Sequence, residues 1–277
     1  MKSVLEVLKS TTDYFAKAGV ESPRLNIEHL LAHVLGKRRM DLYLEFDRPL
    51  GEKELQPLRD LVRRRAAGEP LQHLLGTVDF LGRIFRTDSR ALIPRPETEQ
   101  LAARLLELHP TPPACVLDMG TGSGVLAITL AASWPNATVH AVDISADALA
   151  LAKTNAESLS LQERVSFHQG NLLLPESAPF QLLVANLPYI PTGDIPGLSR
   201  EVQRDPVLAL DGGNDGADLI RTLILSARPR LQGLLALEIG HDQSAFLSGF
   251  LANAGYRDIR SEPDYQGRNR FLFASYG

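Results

Sequence analysis

Asn186-Leu187-Pro188-Tyr189 follows directly on the apolar run Leu182-Leu183-Val184-Ala185. A short apolar run bounded by turn residues reads as a buried strand, and open α/β sheets bind ligands beyond the carboxyl ends of their strands. The tetrapeptide offers a side-chain amide, a backbone carbonyl, a ring-locked proline and an aromatic face. Together these can hold a planar NH2 group by both hydrogens and cover its face. Asn and Pro are also common turn residues, so the tetrapeptide alone is equally compatible with a turn that closes a strand.

A second group of residues lies upstream. Val116-Leu117-Asp118-Met119-Gly120-Thr121-Gly122-Ser123-Gly124 places three glycines between a predicted strand and a predicted helix. Glycine allows a sharp turn and lets a ligand approach the main chain, and a helix N-terminus presents N–H groups to an anion. The next strand ends at Asp143, 19 residues after Gly124, where an acid can grip the two ribose hydroxyls of a nucleoside. Two nucleosides fit the loop. Gly122-x-Gly124-x-x-Ala127 satisfies the dinucleotide pattern of NAD enzymes, whereas Asp118-x-Gly120-x-Gly122-x-Gly124 has the form typical of S-adenosylmethionine (SAM) enzymes.

The tetrapeptide separates them. A dehydrogenase gains nothing evident from it, whereas an amino-directed methyltransferase does. A carboxamide nitrogen is a poor nucleophile because its lone pair is delocalised into the carbonyl, and positive charge builds on it as it attacks a sulfonium methyl. Fixed acceptors aimed at its two hydrogens stabilise that charge without reorganising. The Asn186 side-chain oxygen and the Leu187 backbone oxygen are the candidate acceptors, Pro188 stiffens the turn, and the Tyr189 ring can cover the cationic centre with its face. Alignment of methyl and nitrogen supplies the remainder by proximity, and no general base is required before attack.

The elements that must position these groups follow from periodicity. Val4, Leu8, Thr11, Phe15 and Ala18 recur at helical spacing; Ser22-Pro23 opens a second helix that Gly36 closes, and Leu55, Leu58, Leu61 and Val62 mark a third. Residues 1–75 therefore read as a helical bundle. Residues 76–93 change character around Gly82 and predict a hairpin connecting two domains. From there, strands at 115–118, 138–143, 165–168, 182–185, 234–238, 257–260 and 271–274 alternate with helices such as 146–158 and 218–228. That order predicts an α/β domain over 94–277, a Rossmann-like, mostly parallel sheet whose last two strands form an antiparallel edge hairpin.

Composition narrows the classes. The chain of 277 residues with 44% hydrophobic content suits one large domain or two modest ones. A net charge of -4 argues against a dedicated nucleic-acid binder; Arg63-Arg64-Arg65 reads as a solvated helix face. The single cysteine, Cys115, allows no intramolecular disulfide, and no apolar run suits a signal peptide or a membrane span, so the cytoplasm is expected. His73, His140, His168 and His241 share no metal-ligand spacing, and no metal is expected. Glu97 and Glu99 suit a helix N-terminus, and Glu238 the end of a strand without chemistry.

Over nearly its whole length the chain resembles the protein-glutamine methyltransferases that modify peptide-chain release factors, the PrmC/HemK family. Beyond the glycine loop, the resemblance rests on Gly68-Glu69-Pro70-Leu71-Gln72-His73, Ile93-Pro94-Arg95-Pro96-Glu97-Thr98-Glu99, and Glu201-Val202 with Asp205-Pro206. It continues through Leu210-Asp211-Gly212-Gly213-Asn214-Asp215-Gly216, Leu237-Glu238-Ile239-Gly240 and Asp264-Tyr265 with Arg270. It implies SAM held by Gly120, Thr121, Gly122, Ser123, Gly124, Asp143 and Asn186, with the adenine near Asn171 and Leu172 and the 93–99 segment along the cofactor site. It also implies a substrate glutamine in the Gly-Gly-Gln loop of class I release factors, held at Asn186, Leu187, Pro188 and Tyr189, with the helical domain gripping the partner. A monomer that binds no nucleic acid is expected.

Two positions depart from the family pattern. Leu187 stands where the family usually has a first Pro, which keeps the backbone acceptor but loses ring rigidity. Gly170-Asn171-Leu172 stands where Gly-Asp is common, and an Asn can still hydrogen-bond there. Three rivals remain open from sequence alone: a methyltransferase acting on the exocyclic amine of adenine in nucleic acid, an NAD-dependent dehydrogenase, and a binding protein that keeps the cofactor site without turnover.

Overall fold

The last strands of the chain show how the sheet is assembled: β9 (Asn269–Tyr276) runs antiparallel between β7 (Leu231–Glu238) and β8 (Arg257–Pro263). The computed structural model describes residues 2–172 and 179–277. The chain divides into two units, Met1–Thr77 with Ser199–Arg204, and Val78–Leu198 with Asp205–Gly277.

The first unit is helical: α1 (Val4–Lys17), α2 (Pro23–Leu35), a 3-10 helix over Arg39–Leu44, α3 (Glu52–Ala66) and the short α4 (Leu71–Leu75). Ser3 caps α1 in a reciprocal box, its hydroxyl accepting from the Glu6 N–H at 3.3 Å and its own N–H donating to the Glu6 carboxylate at 2.8 Å. Val4, Leu8, Phe15, Ile27, Leu30 and Leu31 are buried as one apolar core, the outcome of the helical spacing read above. Arg65 is buried among them at 3% exposure. Its guanidinium donates to Asn26 Oδ1 at 2.6 Å, to the Glu69 carbonyl at 3.1 Å and to the Glu201 carboxylate, so a buried charge is paired and bonded.

The second unit begins at the second residue of β1 (Thr77–Phe80), which forms a hairpin with β2 (Arg83–Arg86). Read from sequence as a connector, this hairpin is packed into the second unit: Phe80 and Phe85 are buried in its core with their rings edge to face at 6.0 Å. Full burial of each Phe contributes about 1.5–3 kcal/mol. Glu99 on α5 (Pro96–Leu108) accepts from the Leu81 N–H at 2.7 Å and fixes the turn.

The seven-stranded sheet has the order β5-β4-β3-β6-β7-β9-β8, with β3 (Cys115–Met119), β4 (Thr138–Asp143), β5 (Val165–Gln169), β6 (Phe180–Ala185) and β7 parallel. All seven strands expected from the sequence form, and the antiparallel edge is where the pattern placed it. Side chains alternate between two apolar layers. Val116, Leu182 and Val184 pack under α5 and α6 (Val125–Ser133), whereas Leu117, Leu183 and Ala185 face α8 (Asp218–Ala227) and α9 (Ser244–Asn253). The helix α7 (Ala146–Ser158) lies beside β4, β5 and β2.

One irregularity interrupts the β6–β7 ladder. Phe180 pairs with Leu231 but Leu182 with Leu234, so β7 carries one extra residue there, a β-bulge. Gly233 fits because its backbone lies against Gln181; a Cβ would stand 2.1 Å from the Gln181 carbonyl oxygen.

Candidate active site

Register brings the site together. Met119 pairs with Val142 on one side and with Ala185 on the other, and Asp143 pairs with Gln169. Gly120, Asp143, Asn171 and Asn186 therefore leave the sheet along one carboxyl edge, at the point where strand order reverses between β3 and β6. A cavity of about 1090 Å³, its open mouth included, occupies that edge. Its wall holds Gly120, Thr121, Gly122, Ser123, Asp143, Asn171, Leu172, Asn186, Leu187 and Pro188. Gly124 and Tyr189 lie outside that wall. Gly124 instead starts α6 in a left-handed conformation, and the Tyr189 ring lies 5.8 Å from the Arg270 guanidinium.

The glycine loop spends its amides on itself. Gly120 N and Thr121 N donate to the Val142 carbonyl at 2.8 and 3.0 Å, and Gly124 N donates to Thr121 O at 2.9 Å. Gly122 N donates to Asp143 Oδ2 at 2.8 Å, and Ser145 N donates to Asp143 Oδ1 at 2.9 Å. The loop therefore works by aiming the Asp143 carboxylate rather than by offering these four amides to an anion. Each oxygen of Asp143 keeps a lone pair for one hydroxyl of a ribose diol. Beneath the loop, Asp118 is fully buried and accepts from Thr121 Oγ1 at 2.6 Å and Ala127 N at 3.1 Å. Burial pushes its carboxyl up to about 7, against the opposing pull of the Thr121 hydroxyl.

Gly170 N donates to the Asp143 carbonyl at 2.9 Å and sets the turn from which exposed Asn171 and half-buried Leu172 reach the cavity. A carboxylate with paired free acceptors, a glycine-lined floor and the apolar Leu172 and Leu126 suit the ribose and adenine of SAM. Asp143 would hold the ribose, and Asn171 with Leu172 the base.

At the end of β6, the Asn186 amide donates through Nδ2 to Thr98 Oγ1 at 2.9 Å, and that hydroxyl donates to Glu238 Oε2 at 2.7 Å. Glu238 follows the Leu237 that pairs with Ala185, so register puts it beside Asn186, and Thr98 reaches both from the first turn of α5. Glu238 and Thr98 are buried, and desolvation raises the Glu238 carboxyl to about 7. Leu187 is buried, and its side chain fills the space above Gly120, where a Cβ would stand 2.8 Å from Leu187 Cδ2. The Leu that departs from the family pattern is thus packed rather than loose.

The turn is held from behind. Gln243 Nε2 donates to the Tyr189 carbonyl at 3.1 Å while its Oε1 accepts from Gly240 N at 2.9 Å. Gly212 and Gly216 press against the Pro188 and Tyr189 carbonyls, which gives the Gly-Gly-x-x-Gly run a physical purpose. Burial pushes the Tyr189 hydroxyl up to about 12, so it stays protonated. Arg95 ion-pairs with buried Asp205 at 2.5 Å, and Asp205 also accepts from Ile93 N at 3.2 Å. Pro94, Arg95 and Thr98 line the cavity, whereas Glu97 and Glu99 do not.

Sequence reasoning missed Thr98, Glu238, Gln243 and Asn155. Asn155, fully buried on α7, donates to Ser123 O at 2.9 Å and Arg86 O at 3.1 Å and accepts from Arg86 N at 2.7 Å, tying the loop to the hairpin. A polar residue on the buried face of a helix was the available sign.

Two family models match, one described as the PrmC N-terminal domain over residues 6–76 and one as a methyltransferase domain over residues 116–209. The release factor glutamine methyltransferase of Geobacter sulfurreducens is 40% identical over 279 residues, covering 99% of this chain and 97% of that protein. The protein of the same name from Deinococcus radiodurans is 42% identical over 273 residues, 97% of each. In fold alone, the ribosomal protein L11 methylase of Lactobacillus delbrueckii subsp. bulgaricus is similar at a TM-score of 0.52 and 24% identity, over 69% of this chain and 84% of that one. Fold and site define a SAM-dependent methyltransferase. Within that class, the chain belongs to the release factor glutamine methyltransferase family.

Proposed function

We propose that the protein transfers a methyl group from SAM to the side-chain amide nitrogen of a glutamine in a peptide-chain release factor. The observation that carries this reading is the Asn186 amide, held at the end of β6 in the wall of the cavity that Asp143 also lines. SAM supplies an electrophilic methyl on a sulfonium. Asp143 binds the ribose, Gly120, Thr121, Gly122 and Ser123 form the floor, Gly124 starts the helix that closes the loop, and Asn171 with Leu172 borders the adenine. Asn186 Oδ1 and the Leu187 carbonyl accept the two hydrogens of the substrate amide and stabilise charge developing on its nitrogen. Pro188 stiffens this turn. Tyr189, next along the turn with its carbonyl held by Gln243, supplies the aromatic face beside the substrate amide.

The glutamine in this reading belongs to the Gly-Gly-Gln loop of class I release factors. The helical unit docks the body of the factor, and the enzyme acts as a cytoplasmic monomer without binding nucleic acid. The full-length similarity to release factor glutamine methyltransferases supports the substrate class. Among the described residues no helix is long and apolar enough to cross a membrane. The test is incubation with methyl-labelled SAM and either purified release factor or nucleic acid, followed by peptide mapping. Label on the glutamine of Gly-Gly-Gln is the expected result; label on an adenine amine, or on neither substrate, would overturn the reading.

A further inference from the structure

We propose that Thr98 and Glu238 are positioning residues that hold the Asn186 carboxamide with its oxygen toward the substrate and its NH2 turned away. The proposal rests on the assignment of Asn186 as an acceptor for the substrate amide. Asn side chains have two orientations of nearly equal shape, one presenting oxygen and the other NH2. Only the first can accept a hydrogen from a substrate amide.

The geometry selects between them. Thr98 Oγ1 stands 2.9 Å from Asn186 Nδ2 and 2.7 Å from Glu238 Oε2, and a hydroxyl has a single hydrogen to give. An ionised Glu238 can only accept, so the Thr98 hydrogen goes to Glu238. The Thr98 oxygen then has lone pairs alone to offer Asn186, and the group facing it must be a donor, the NH2. In the flipped orientation, the Asn186 oxygen and the Glu238 carboxylate would compete for one hydrogen, leaving a buried acceptor unpaired.

Protonation of Glu238 removes this selection. A neutral carboxyl can donate to Thr98, Thr98 can pass its hydrogen to an Asn186 oxygen, and the flipped amide becomes fully bonded. Burial above all, and then Glu97 on α5, favour the neutral form of Glu238, while the Thr98 hydroxyl, Arg270 on β9 and Arg95 ahead of α5 oppose it; its carboxyl is raised to about 7. Turnover accordingly falls on the acid side as Glu238 takes up its proton.

The experiment measures kcat against pH, at saturating SAM and release factor, for the parent, Thr98→Val, Thr98→Ser, Glu238→Gln and Asn186→Ala. Thr98→Val keeps the shape and removes the hydroxyl. It should lower kcat about 10- to 100-fold, the scale for small misplacement of a reacting group, with SAM affinity near the parent's. Thr98→Ser should restore most of the loss, and Glu238→Gln should abolish the acid limb of the profile. Parental kcat and profile in Thr98→Val would overturn the relay, as would an unchanged acid limb in Glu238→Gln, which decides the matter if Thr98→Val fails to fold. Asn186→Ala separates the two levels. Loss of turnover there with none in Thr98→Val rejects the relay alone, whereas no loss in Asn186→Ala rejects the acceptor assignment beneath it.

Discussion

Gly216 lies so close to the Tyr189 carbonyl oxygen that a Cβ there would stand 2.3 Å from it. Its φ of 76° adds a left-handed backbone, so the position excludes side chains on two counts. Gly216→Ala should therefore cost about 1–3 kcal/mol and displace the turn that carries Asn186. Gly193→Ala, with nothing within 4 Å of the added carbon, should change stability by no more than about 0.5 kcal/mol. Urea midpoints and single-turnover rates on the two variants check this; equal behaviour would show that the 212–216 loop does not support the turn.

Removing the proposed acceptor tests the chemistry directly. Asn186→Ala should bind SAM nearly as the parent does and lose about 100- to 1000-fold in turnover, the scale for one preorganised transition-state hydrogen bond. Calorimetric titration with SAM and single-turnover methylation of release factor supply the two readings.

Asp143→Ala addresses the cofactor. Its carboxylate accepts from Gly122 N and Ser145 N, so the substitution removes both the ribose grip and a brace of the loop. SAM affinity should weaken by about 1.5–3 kcal/mol, the range for hydrogen bonds to a charged acceptor. Unchanged affinity in a folded variant would take Asp143 out of the ribose role.

Two buried carboxyls give stability a definite pH slope. Asp118 and Glu238 are raised to about 7, well above their ordinary values. Between the ordinary carboxylate range and about pH 7, the folded chain holds protons that the unfolded chain has released. Their contribution is thus present in acid, declines as pH rises to about 7, and is flat above it. The urea midpoint without SAM should fall from pH 5.5 to pH 8, and the fall should be smaller in Glu238→Gln.

The docking role of the helical unit predicts a split between cofactor and substrate. Because Ser199–Arg204 belongs to that unit, a clean removal deletes 1–77 and replaces 199–204 with a short Gly/Ser link. SAM binding should persist while methylation of intact release factor drops sharply, as when one of two linked contacts is lost. Normal rates with the full-length factor would refute the docking role.

The strands and Asp143 were legible because each rests on a local pattern: an apolar run, a turn, and an acid at a strand end. The antiparallel edge was equally legible, since no helical period separates the last two strands. Thr98 and Glu238 were not, because their bond spans 140 residues and depends on which strand lies beside β6. The groups around Tyr189 were hidden for a related reason. Arg270 on β9 stands by its ring and Gln243 before α9 binds its carbonyl, and neither lies near it in the chain.

The bulge at Gly233 acts as a spacer for the chemistry at the other end of its strand. Continued from the Phe180–Leu231 pair without the bulge, β7 would set Leu237 beside Asn186 and turn Glu238 to the opposite face of the sheet. The partner of Thr98 would vanish, though not one residue of the site had been altered. Pairing straight through Gly233 would thus be a change of register that reads out as a loss of charge five residues away, whereas deleting Gly233 would close the bulge and keep Leu182 opposite Leu234 and Glu238 beside Asn186. What the chemistry needs is the count after the bulge: Leu234 opposite Leu182 sets Leu237 opposite Ala185 and leaves Glu238 next in line, beside Asn186.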